Sequence, residues 1–96
     1  MNKALYGIIV VERFSMYIHI GGEYAISEYL IVGIFDMENI TRKQKDMIHF
    51  LSVLEKDDKV EYVSDEIPRS VVLTVEKAYF SPLSVQTLKK RIKESH

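Results

Sequence analysis

The 96-residue sequence contains no cysteine, carries almost no net charge and has no long hydrophobic run. Without thiols there is neither a disulfide nor a thiolate zinc site, and three scattered histidines form no metal-ligand cluster. The longest apolar runs, Ile8 to Val11 and Leu30 to Phe35, are strand-sized, well short of the roughly 20 residues that span a bilayer, so a membrane span is excluded and a cytoplasmic protein is expected. The total of −1, from 13 basic and 14 acidic side chains, excludes a uniformly basic arm. Repeats, low-complexity tracts and linkers are also missing. What is present, 47% hydrophobic and 28% charged residues, describes one folded domain rather than a disordered chain. A domain this small buries only roughly 60% of its unfolded surface and commonly needs a disulfide, a metal or oligomerisation. Oligomerisation is the aid that remains.

Residues 1–15 stand apart. Val10 to Arg13 can be encoded by a purine-rich GAGAGG stretch, and Phe14-Ser15 then supplies a spacer of about six nucleotides before Met16, the arrangement of a bacterial ribosome-binding site and start codon. This segment is therefore read as an N-terminal annotation extension, or else as an extra strand, apolar and β-branched from Tyr6 to Val11. The domain proper is expected over 16–94.

From Met16 the chain alternates as strands do. Tyr17-Ile18-His19-Ile20 leads into Gly21-Gly22, whose freedom at positive φ suits a hairpin turn, and Tyr24-Ala25-Ile26 resumes extended chain. His19 is expected on the face opposite Ile18 and Ile20, without a catalytic role. Leu30 to Phe35 is continuously apolar, so both its faces should be covered, one by the domain's own helix and the other by another subunit. Thr41-Arg42-Lys43-Gln44 fits a capping box, and Met47, Ile48, Leu51 and Leu54 form one helical stripe ending near Glu55. Val60 to Val63 is a short strand or loop. Pro68 fits the start of the next strand, which runs from Val71 toward Tyr79 and Phe80. Ser81-Pro82 reads as cap and first residue of a last helix, with Val85, Leu88 and Ile92 on its apolar edge. The fold class is α+β: a small antiparallel-rich sheet packed with two helices, in the order β-hairpin, β, α, β, β, α, assembling into a ring or other oligomer.

Charge is local even though the total is not. Six acids and two lysines between Glu55 and Glu66 give −4, whereas Lys89, Lys90, Arg91 and Lys93 against Glu94 give +3. Bases near a helix C-terminus complement the macrodipole; repeated around an assembly, they become a field to which DNA phosphates respond. Enzyme signatures are missing: there is no glycine-rich phosphate loop, no Gly-x-Ser-x-Gly elbow and no His-Glu-x-x-His. No catalytic residue, cofactor, metal or small-molecule substrate is assigned. The acids of the central turn are read as solvent-facing, with no carboxylate at a perturbed pKa, and Tyr17, Tyr24, Phe35, Tyr79 and Phe80 as core aromatics rather than base-stacking platforms.

Met16 to Gly21, Ile31-Val32-Gly33-Ile34-Phe35-Asp36, Pro68-Arg69-Ser70-Val71-Val72-Leu73-Thr74, Tyr79 to Ser84 and Thr87-Leu88-Lys89-Lys90-Arg91, in this order and spacing, resemble the RemA/RemB family of extracellular-matrix regulators of Firmicutes. The resemblance covers Met16 to about Arg91, and in that family the first residue corresponds to Met16. It implies a non-enzymatic, cytoplasmic regulator of biofilm-matrix operons that binds double-stranded DNA and self-assembles, the RemA branch forming rings that display basic residues along a DNA-wrapping surface. Arg69 matches an Arg linked to DNA contact in RemA. A second such Arg precedes the earlier apolar strand in RemA; here Tyr29 stands there, beside Glu28, and the turn that is more basic in RemA carries Asp65-Glu66.

The expected function is thus a DNA-binding transcriptional regulator acting as a homo-oligomer, with Arg69 positioning the phosphate backbone and Lys89, Lys90, Arg91 and Lys93 forming a second patch. The rival reading is a protein-interaction subunit that co-assembles with, or modulates, a DNA-binding relative.

Overall fold

The computed structural model describes residues 17–38 and 45–94. The expected extension at 1–15, the start at Met16 and the capping box from Thr41 to Gln44 lie outside the described residues. Strand β1 (Tyr17–Gly21) turns its isoleucines inward and leaves Tyr17 and His19 exposed, as period-2 alternation requires. It pairs antiparallel with β2 (Tyr24–Ser27) through a turn in which Gly21 and Gly22 take φ of 121° and 55°. A Cβ on Gly22 would lie 2.4 Å from the Val63 carbonyl oxygen, so this position requires glycine for space as well as for conformation.

A 3-10 turn (Glu28–Leu30) leads to β3 (Ile31–Asp36), followed by helix α1 (Lys45–Lys56). Helix α1 ends on a left-handed residue, Asp58 at φ 59°, with the Lys59 amide donating to the Leu54 carbonyl at 2.8 Å. The chain continues through β4 (Val60–Tyr62), β5 (Ser70–Thr74), β6 (Ala78–Ser81) and helix α2 (Val85–Glu94). Strands β3, β5, β6 and β4 form one sheet in that order, antiparallel except for the β4–β6 pair.

Alternation along β5 divides the core into two. Val72 faces Ile18, Ile20, Ile26, Val63 and Leu88, which come from the hairpin, the loop after β4, and α2. Val71 faces the other way, onto Leu51 of α1 and Ala78 of β6. The molecule is therefore three layers deep: α1, the four-stranded sheet, then the hairpin with α2. Ile20, Val71, Val72 and Leu88 are wholly buried, and each such side chain contributes about 1.5–3 kcal/mol of hydrophobic stabilisation.

Four sequence expectations change. The strand read as continuous from Val71 to Phe80 is a hairpin, β5 to β6. The Thr74 hydroxyl accepts from the Glu76 and Lys77 amides and donates to the Lys77 carbonyl at 2.8 Å, a side-chain turn that β-propensity alone does not reveal. The cap of α2 is Ser84 rather than Ser81: the Thr87 amide donates to Ser84 Oγ at 3.1 Å, and the two hydroxyls bond at 2.9 Å. Ser81 is instead the buried end of β6, its hydroxyl donating to the Ile20 carbonyl and accepting from the Leu83 amide. The chain's own layers pack against both faces of β3 but leave its residues only partly buried. The α1 side receives Phe35, while Ile31 and Ile34 face the hairpin and α2, where another subunit was expected. Val32, at a bulge in the β3–β5 register, is 64% exposed. Tyr17 is exposed and not a core aromatic.

Candidate nucleic-acid interface

Arg69 sits at the entry to β5, where its backbone is fixed on both sides. Its amide donates to the Ser81 carbonyl at 2.7 Å, and its carbonyl accepts from the Met37 amide at 3.0 Å. The guanidinium stands out of the sheet end, half exposed, with Nε 3.1 Å from Glu38 Oε1. Beside it runs the first turn of α2. That turn is brought here by the Pro82-Leu83 connection, which is held by the Ser70 hydroxyl donating to the Leu83 carbonyl at 2.7 Å. Arg69, Asp36, Glu38, Ser84, Val85 and Gln86 line one shallow cleft of about 360 Å³.

Helical spacing extends this site along α2. Gln86, Lys89, Lys90 and Lys93 recur at i, i+3, i+4 and i+7, so they form one outward stripe, away from the inward line of wholly buried Leu88 and partly buried Val85 and Ile92. Lys89 and Asp36, at the end of β3, both border a largely apolar cavity of about 370 Å³ that Met47 and Leu51 also line. Asp36 and Val85 line both hollows, so Arg69 and Lys89 share one rim, and helical spacing carries Lys90 and Lys93 onward along the exposed face of α2. Arg91 does not join it. Arg91 lies on the other flank, where its Nη1 donates to the His19 carbonyl at 2.9 Å and ties α2 to β1. Arg91 and Lys93 also fall in the last turn of α2, where positive charge complements the helix dipole.

A second polar cluster was missed from sequence. Glu61, half-buried on β4, accepts from the Tyr24 hydroxyl and from Lys77 Nζ, the latter at 2.9 Å. Tyr79 packs edge-on to Tyr24 with ring centroids 5.9 Å apart. The Tyr24 hydroxyl, then the Lys77 ammonium, hold the Glu61 carboxyl below its ordinary value, and Glu61 in turn raises both partners. The expectation that the acids of this segment all face solvent unperturbed is corrected at Glu61. Its signal was its parity: alternation along Val60-Glu61-Tyr62-Val63 places the glutamate on the face turned toward the hairpin. The cluster joins hairpin to sheet through three side chains from β2, β4 and the β5–β6 turn.

Among the described residues, no group of three histidines or carboxylates is placed to hold a metal, and no helix is long and apolar enough to cross a membrane. Fold and site define a small α+β module that presents a charged rim at one end of its sheet. No protein-family model matches the chain. It is 39% identical over 84 residues to the extracellular matrix regulatory protein B of Bacillus subtilis (strain 168), an alignment covering 79% of this chain and 89% of that protein. The chain belongs to the family of that regulator, the RemB-type extracellular matrix regulatory proteins.

Proposed function

We propose that the chain is a cytoplasmic, non-enzymatic transcriptional regulator of extracellular-matrix genes, which binds duplex DNA as a homo-oligomer. The observation that carries this reading is that Arg69 and the base-bearing helix α2, far apart in sequence, meet at one rim: Asp36 and Val85 line both the Arg69 cleft and the cavity that Lys89 borders. The relative's name supports the regulatory part. Asp36 and Glu38 line the same hollows as Arg69 and Lys89, so those charges balance there, and the small positive excess comes from Lys90 and Lys93 further along α2. So small an excess holds phosphate weakly, and repetition in an assembly is what makes it a useful DNA surface.

The occupant proposed for the opposite end of the sheet is a second copy of the chain. There the Val75 amide donates to the Leu30 carbonyl at 3.0 Å, bringing together Tyr29, Val32 and Val75, which are 67%, 64% and 66% exposed. Strand β3 is an edge of its sheet, with one side unpaired by any described strand. Contact through this end leaves the Arg69 rim open.

Gel shifts of the full chain on matrix-operon promoter DNA at two salt concentrations test the reading. Binding should weaken with a slope of about 0.9 per phosphate neutralised, and Arg69→Ala should weaken it about tenfold per engaged copy. Failure to bind at low salt, combined with co-elution with a DNA-binding relative, selects the interaction-subunit reading, which the exposed apolar end also suits.

A further inference from the structure

Arg69 does not stand alone on the rim. The turn that leaves β3 is shaped by the Asp36 carboxylate, whose Oδ1 accepts from the Glu38 amide at 2.8 Å. The Met37 amide, between them, is bonded to the Arg69 carbonyl at 3.0 Å. These two bonds fix the Glu38 backbone next to Arg69, so the pairing of Glu38 Oε1 with Arg69 Nε at 3.1 Å follows from main-chain geometry rather than from the chance meeting of two long side chains. The Nε edge is one of the two edges through which a guanidinium grips an oxyanion with a pair of parallel N–H donors.

We propose that Glu38 is a built-in competitor for the phosphate site: in the free protein its carboxylate holds the edge of Arg69 that a DNA phosphate would take. The inference rests on the reading of Arg69 as a phosphate contact, and it adds the residue that sets the strength of that contact. A phosphate arriving at Arg69 must displace the carboxylate or accept it as a like-charged neighbour a few ångströms away, and both routes weaken binding. The pair is half exposed, so the opposition is modest at one copy. It recurs at each copy engaged, so it lowers the affinity of every contact and leaves stable binding to assemblies that make many contacts at once.

The test is a double-mutant cycle on the full chain, read by fluorescence anisotropy with a labelled duplex of about 30 base pairs at low salt. Circular dichroism and thermal melts check that each variant is folded. Glu38→Gln should tighten binding by about two- to five-fold per engaged copy, and the gain should vanish when Arg69→Ala is already present. Weaker binding by Glu38→Gln would show that the carboxylate orients Arg69 for phosphate, and would overturn the proposal. A gain that survives Arg69→Ala would reduce Glu38 to general repulsion and overturn it equally. If Arg69→Ala weakens binding while Glu38→Gln changes nothing, the competitor is lost but the Arg69 contact stands. If Arg69→Ala itself has no effect, both fall.

Discussion

The Glu61–Lys77 and Glu38–Arg69 pairs have nearly the same separation, 2.9 and 3.1 Å, and opposite surroundings. Glu61 and Lys77 keep about a third of their side-chain surface, at 33% and 35%, and Glu61 also holds the Tyr24 hydroxyl in the seam between hairpin and sheet. Glu38 and Arg69 keep nearly half, at 44% and 50%, and stand on a rim beside the first turn of a helix. One pair spends its charge on joining two layers of the fold. The other holds a guanidinium where a partner can reach it. Distance alone would rank them together; exposure and additional partners separate structural charge from available charge.

The comparison can be broken most forcefully from beneath. Leu88 is wholly buried under the hairpin and carries the helix that bears the lysine stripe. Leu88→Ala should cost about 2–5 kcal/mol in urea denaturation, loosening both regions at once. Substituting one member of each pair sharpens the contrast. Glu61→Gln should lower the melting temperature by a few degrees and leave DNA affinity unchanged, since the seam is away from the rim. Arg69→Ala should do the reverse, with stability within about 0.5 kcal/mol of the parent.

Acid separates the pairs further. The Glu61 carboxyl is depressed below its ordinary value of 4.5, so its stabilisation is present above that value and is lost as pH falls through the lower folded value. Tyr24 and Lys77 are raised from 10.0 and 10.5, so their share is present below those values and is lost as pH rises through the higher folded ones. Urea midpoints measured against pH should fall on both sides in the parent, and Glu61→Gln should remove the acid-side component due to this carboxyl. The smallest effect is expected of Arg91, whose guanidinium is bonded to the His19 carbonyl. Arg91→Ala should barely change DNA binding, whereas Lys90→Ala should reduce the salt slope by about 0.9 per engaged copy.

Period-2 and period-3.6 patterns were enough to read the hairpin, the inward line of α2, and Met47, Leu51 and Leu54 of the α1 stripe, because burial imposes those periods on the sequence directly; Ile48, read into the same stripe, is 46% exposed. The Thr74 turn was not legible, since a hydroxyl bonding its own backbone leaves no mark on hydrophobic periodicity. The choice between Ser81 and Ser84 as cap depended on where β6 ended, which local pattern does not define when two serines bracket a proline. At the site, Arg69 and the α2 bases were visible as charges. Their union on one rim was not, because it depends on the Pro82-Leu83 connection folding α2 back beside β5. Arg91 shows the converse: the sequence groups it with three lysines, and helical geometry turns it to the other flank.

The central claim is that a modest cationic rim becomes a DNA surface by repetition. Size-exclusion chromatography with light scattering, run on the full chain with and without a duplex, tests it most directly. The account predicts a mass of several 11.2 kDa subunits that shifts earlier and heavier when DNA is added at low salt. A single 11.2 kDa species that passes the duplex unchanged would contradict it.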